Sequence, residues 1–352
     1  YSFVIHEDDV ARVANELSTT THLLKAATAI QRSNLGALVA EFDHLMFRML
    51  KAICFDFPET ILPNEEAVPV GFLRSGGTLE TWQADQIERK IIGKLHESHD
   101  EIVTWILQDI AEVKDMSSVK KSPYYRDFME VCQRRHIFVH NGGVVNKEYT
   151  RKCVAAGIDQ SALPPEGEVI YSDSDYLRSS AARVYLVGAF VLNLTFQKLY
   201  PKSAEMSFRS LLSASHDFLI ADLTKMAERI IEFAENQSSK FSHDMKLKFA
   251  INKALAKLFA PGVEESEQTR NAAGVLKKYD WSVTTPIFDL ALACIHRDFS
   301  NILELAKKAH EAGLSYQDAS HFCVFKEARQ LKGFMECFPK SALRITHQES
   351  AG

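Results

Sequence analysis

Residues 131–146 read VCQRRHIFVHNGGVVN, a stretch that gathers Arg134, Arg135, His136, His140 and Asn141. His136 and His140 stand four residues apart, the spacing that puts two side chains on one face of a helix. Like charges packed this closely repel one another, so an anion is their natural complement. Imidazole titrates near neutrality and can serve as base or acid. Against RNA, a neutral histidine can take the proton of the 2′-hydroxyl beside the scissile phosphate. A cationic acid can then protonate the leaving 5′-oxygen, while arginine holds the charge on the phosphoryl oxygens. Such chemistry requires neither a metal nor a cofactor.

The flanking charge suits the same ligand. The chain as a whole carries a formal charge of −5. Residues 114–152 hold nine basic side chains (Lys114, Lys120, Lys121, Arg126, Arg134, Arg135, Lys147, Arg151, Lys152) against four acids (Asp115, Asp127, Glu130, Glu148), a local net of +5. One basic stretch in an acidic protein fits a phosphate-bearing ligand, and Arg134, Lys147 and Arg151 are the expected substrate-binding cations. Glu41 and Asp43, acids inside the apolar run LVAEFDHLMF, are placed to orient the arginine from behind; the same positions also fit a wet edge of the bundle. His96-x-x-His99-Asp100 offers ligand types at helical spacing but no third ligand nearby, and its charged surroundings (KLHESHDE) read as surface. There is no P-loop, GxGxxG, GxSxG or HExxH motif. The six cysteines form no CxxC pair, which argues against a zinc ribbon and a disulfide framework.

Arg135-His136-x-x-x-His140-Asn141 resembles the R-x4-H signature of HEPN domains, helical bundles found in many defence and toxin ribonucleases. In that signature a polar residue follows the arginine and three more precede the histidine. The apolar helix before the motif, the glycine after it and one long final helix resemble the family too, over about residues 8–200. Arg89…His96 and Arg209…His216 repeat a similar spacing without this context. The resemblance implies a metal-independent endoribonuclease in which Arg135, His136, His140 and Asn141 are catalytic. It also implies a homodimer whose two motif helices surround one phosphate, acting in antiphage defence or a toxin-like stress response. The rival reading is a non-catalytic scaffold or adaptor that uses the same basic groove to bind RNA or a nucleotide, or only to dimerise.

The elements that must position these residues are helical. A chain of 352 residues suggests two domains. In residues 35–55 the apolar positions follow three-and-four spacing, which predicts a core helix of roughly 30 residues starting near Thr21, with a shorter helix over 8–18 before it. Three prolines and a glycine pair make 56–80 a loop with at most a short extended piece. A second long helix is predicted over 81–113, and a third from about Pro123 to the stop at Asn141-Gly142-Gly143. A turn-rich excursion follows over 157–175. Ser174-Asp175 then caps a fourth helix ended by Pro201. Residues 1–200 are thus expected to form an all-α, long-helix up-down bundle of HEPN type. Residues 201–352 are expected to form a regulatory or partner-binding domain of shorter helices at about 203–236, 243–259, 267–279, 284–296, 298–312 and 322–337, with an antiparallel hairpin over 286–313. No run reaches the 18 or more apolar residues that cross a membrane; the best, VYLVGAFVLNL at 184–194, is shorter. The opening residues lack a basic stretch before an apolar core, so no membrane partner is expected and the expected compartment is the cytoplasm.

Overall fold

A computed structural model describes residues 7–62, 67–237 and 241–339, with side chains from residue 25 onward. Among these residues the architecture is all-α; the one extended pairing is an isolated bridge between Val144 and Val169. The chain divides into two compact units, Tyr1–Pro201 and Lys202–Gly352.

In the first unit α1 runs unbroken over Glu7–Asp56. The expected break before Thr21 does not occur: Ser18-Thr19-Thr20-Thr21 lowers helix propensity but supplies no Gly or Pro to end the helix. Its apolar stripe (Leu35, Val39, Phe42, Met46, Met49, Leu50, Ile53) is buried. The following loop contains a 3₁₀ turn at Pro58–Thr60 and a short α2 (Val70–Arg74), not an extended piece.

The helix expected over 81–113 is two helices, α3 (Leu79–Leu95) and α4 (His99–Trp105), the latter continued by a π turn at Ile106–Ile110. The cause is a capping box. Glu101 N–H donates to Ser98 Oγ, and Ser98 N–H donates back to Glu101 Oε2 at 2.8 Å, so a new helix starts where the apolar period alone reads straight through.

After α5 (Ser117–Lys120) comes the motif helix α6, Pro123–His140, started by the Ser122 side chain and by proline at its first turn. Then α7 (Lys147–Ala155) and α8 (Ser174–Leu199) complete the unit. The N-cap of α8 is Asp173, one residue before the expected pair; its carboxylate accepts from Tyr176 N–H at 2.7 Å. α8 is long and apolar enough to cross a membrane by length and composition, and half of its apolar window is buried inside the protein. It packs on α1 and α6. At Gly188 a Cβ would stand 3.0 Å from the tip of Leu45 on α1, a tight contact that the leucine side chain would have to yield to.

The second unit holds α9 (Ala204–Ile220), α10 (Thr224–Glu235), α11 (His243–Leu258), α12 (Glu265–Leu276), α13 (Pro286–His296), α14 (Ile302–Glu311) and α15 (Tyr316–His321). The stretch read as one helix over 203–236 turns at Ala221-Asp222-Leu223, where Asp222 takes a left-handed φ of +56°. The helix expected at 322–337 is replaced by 3₁₀ turns at Cys323–Phe325, Ala328–Gln330 and Met335–Cys337. α13 and α14 pack as a pair, as the hairpin reading expects.

Candidate functional site

α6 ends because its last turn meets three residues that cannot continue it. Asn141 N–H and Gly143 N–H both donate to Ile137 O, at 2.8 and 3.0 Å. Gly142 and Gly143 take φ values of +59° and +82°, the left-handed closure that favours glycine. At about 100° per residue, the helix turns Glu130, Val131, Cys132, Gln133, Ile137 and Phe138 inward, where all are buried. His136, Val139 and His140 form the outward strip and are exposed, with Arg135 half-buried at its edge.

The two imidazole rings lie 4.6 Å apart, tilted by 49°. α7 flanks them. Partial burial, His140, Lys152 and Arg135 all disfavour a proton on His136, and Glu148 opposes them; the net effect lowers the pKa of His136 from its ordinary value. Glu148 is itself occupied: it accepts from Arg151 Nε at 2.9 Å and Nη2 at 2.7 Å and lies 3.4 Å from Lys152. Those partners push its carboxyl down to about 2, the Arg151 hydrogen bonds foremost. A neutral imidazole beside cations is able to accept a proton, and the cations around it can hold an oxyanion.

Other expected residues lie elsewhere. Arg134 does not join the outward strip. Its Nε donates to Glu130 at 2.8 Å, its Nη1 to Tyr171 O at 2.9 Å, and its guanidinium carbon sits 3.8 Å from the centre of the Tyr176 ring. Glu130 is buried and also accepts from Tyr149 Oη at 2.7 Å and Tyr176 Oη at 2.6 Å. One carboxylate thus ties α6, α7 and α8 together, and it takes Arg134 out of substrate binding because a buried carboxylate needs a cation. Asn141 Nδ2 donates to Val144 O at 2.7 Å, a bond that braces the turn. Lys147 and Arg151 are exposed on α7.

Neither acid of α1 orients Arg135. Glu41 is exposed, and Asp43 Oδ1 lies 3.0 Å from His99 Nε2. Both atoms are buried, without an aligned hydrogen bond between them. His99 therefore belongs to the interior and not to the surface, with its ring against Phe42 and Phe128. Burial opposes its charged form, but the Cys132 sulfur and the Asp43 carboxylate outweigh that and hold its pKa up to about 10. Among the described residues no group of three or more His, Cys, Asp or Glu is arranged to hold a metal ion.

The sequence reading missed Arg32. From α1, 110 residues earlier, its Nη2 donates to Gly142 O at 2.6 Å, and its guanidinium carbon lies 5.5 Å from the centre of the Phe138 ring. No local signal marks this residue, because the contact exists only once α1 crosses the end of α6.

Fold and site together define an all-α protein with a histidine–arginine cluster at a helix terminus. Comparison of the chain with family models, curated proteins and solved structures finds no match.

Proposed function

We propose that the chain is a metal-independent endoribonuclease that cleaves RNA by attack of the 2′-hydroxyl, leaving a 2′,3′-cyclic phosphate and a 5′-hydroxyl. The carrying observation is the His136–His140 pair on the outward strip of α6, with His136 biased toward its neutral form by partial burial first and by its cationic neighbours second. His136 takes the hydroxyl proton, His140 in its cationic form protonates the leaving oxygen, and Arg135 offsets the phosphoryl charge. Arg135 and His140 stand five positions apart, about 140° around the helix. One chain therefore presents the two groups divergently, and a second copy facing the first supplies the complementary set, as the R-x4-H resemblance implies. The six cysteines are all free, which fits the cytoplasm, and the same resemblance points to a defence or toxin-like role.

The test is RNA cleavage with mass spectrometry of the fragment ends. Cleavage should persist in EDTA, and His136→Ala or His140→Ala should lower the rate about 10²–10⁴-fold, the usual contribution of a positioned acid or base. Fragments ending in 3′-hydroxyl and 5′-phosphate, or undiminished cleavage by both variants, would refute the assignment.

A further inference from the structure

The crossing of α1 over the end of α6 brings a second arginine beside the motif. Gly143 makes this approach feasible: a Cβ there would stand 3.1 Å from Arg32 Nη2 and 3.3 Å from the Phe138 ring. On α6, Arg135 and Phe138 stand three residues apart, so they are neighbours on the helix surface, and Gly142 lies two residues beyond the helix end. Arg32 reaches the Phe138 ring and the Gly142 carbonyl, so it arrives beside the last turns of α6, which also carry Arg135.

Neither charge is balanced by a nearby acid. Glu130 is paired with Arg134, Asp127 with Arg126 and Arg183, and Glu148 with Arg151 and Lys152. The Nε atoms of Arg32 and Arg135 are both shut off from solvent without an acceptor. Buried donors of this kind are rarely left unmet, and planar guanidinium groups suit tetrahedral oxyanions better than ammonium groups do.

We infer that Arg32 and Arg135 form a two-helix seat for a backbone phosphate of single-stranded nucleic acid. This rests on the ribonuclease reading and deepens it: α1 supplies a substrate-binding residue that lies outside the motif. The strand passes over the end of α6, with one phosphate held by the two guanidinium groups.

The test is fluorescence anisotropy with a labelled single-stranded oligodeoxynucleotide, which has no 2′-hydroxyl to react, across a series of salt concentrations. Each phosphate neutralised on a single strand contributes roughly 0.7 to the slope of log affinity against log salt. Arg32→Gln and Arg135→Gln should each lower that slope by about this amount, while Arg32→Lys keeps it. Thermal melts of the same variants separate any loss of the Gly142 bond, which moves the unfolding midpoint but not the slope. An unchanged slope in Arg32→Gln with a reduced one in Arg135→Gln would overturn the role of Arg32 and leave the ribonuclease reading standing. A wild type with no salt-dependent binding would overturn both. Inorganic phosphate that stabilises the wild type but not Arg32→Gln, with no oligonucleotide bound, would reassign the seat to a free anion and overturn the strand assignment.

Discussion

At His136 the balance of charges can be read from single side chains. Partial burial and three cationic neighbours lower its pKa below the ordinary 6.5, while Glu148 pulls the other way. As a base it works in the neutral form, so activity should fall as pH drops through its lowered pKa. The acid limb of the kcat/KM profile is therefore expected below pH 6.5. Lys152→Gln removes a repelling cation and should move the limb up. Glu148→Gln removes the opposing carboxylate and should move it down. Identical limbs in wild type and both variants, measured by initial rates on one RNA, would show that His136 is not the titrating base. Much of this scale was legible in the sequence, because Arg135, His136 and His140 announce themselves by type and spacing. Arg134 did not. It sits one residue from Arg135, yet a helical step of about 100° turns it toward Glu130, and only the arrival of Tyr149 and Tyr176 decides that. Arg32 was illegible for the same reason at longer range.

Elements hold the site through the inner face of α6. Glu130 accepts from Arg134, Tyr149 and Tyr176, and in doing so fixes α7, with its Lys152 and Glu148, and the start of α8 against the motif helix. Removing one hydroxyl leaves a buried carboxylate short of a donor, a loss of about 1–3 kcal/mol, so Tyr149→Phe and Tyr176→Phe should each lower stability by that amount. Glu130→Ala strands the Arg134 charge and should cost about 3–5 kcal/mol. Urea denaturation measures all three; changes within roughly 0.5 kcal/mol, the range of ordinary surface substitutions, would mean the network is not a structural tie. Helix existence was readable from the apolar period because each long helix buries one continuous stripe. Helix ends were readable only where Gly or Pro enforces them, as at Gly142-Gly143 and Pro201. The break at Ser98 is written in Ser-x-x-Glu, but the apolar residues on either side stay in phase and mask it. The turn at Asp222 needs a left-handed residue that is not glycine, and no composition signal marks that. His99 was misread because its charged sequence neighbours face solvent while it alone turns inward to Asp43.

Across the whole molecule, every residue assigned to the site comes from the unit that ends at Pro201. That unit buries its own core, from Leu35 on α1 through Phe128 on α6 to Val191 on α8. The second unit has two clusters of its own, one around Leu255 and Ile295 and another around Phe325 and Phe334. A segment with an independent core is able to fold alone, and α8 ends at Leu199 before the division, so separating the units there cuts no long helix. Residues 1–201 expressed alone should therefore give a helical circular dichroism spectrum and a single cooperative melt. If cleavage is carried by α6 and α7 with α1 behind them, this fragment should cut RNA at a rate within about an order of magnitude of the full chain, a barrier difference of about 1.4 kcal/mol or less. Residues 202–352 should fold equally well and cut nothing. A cooperative 1–201 fragment without activity would mean that the second unit supplies part of the chemistry or of the substrate grip. A fragment that melts without cooperativity would mean that the core from Leu35 to Val191 is not self-sufficient.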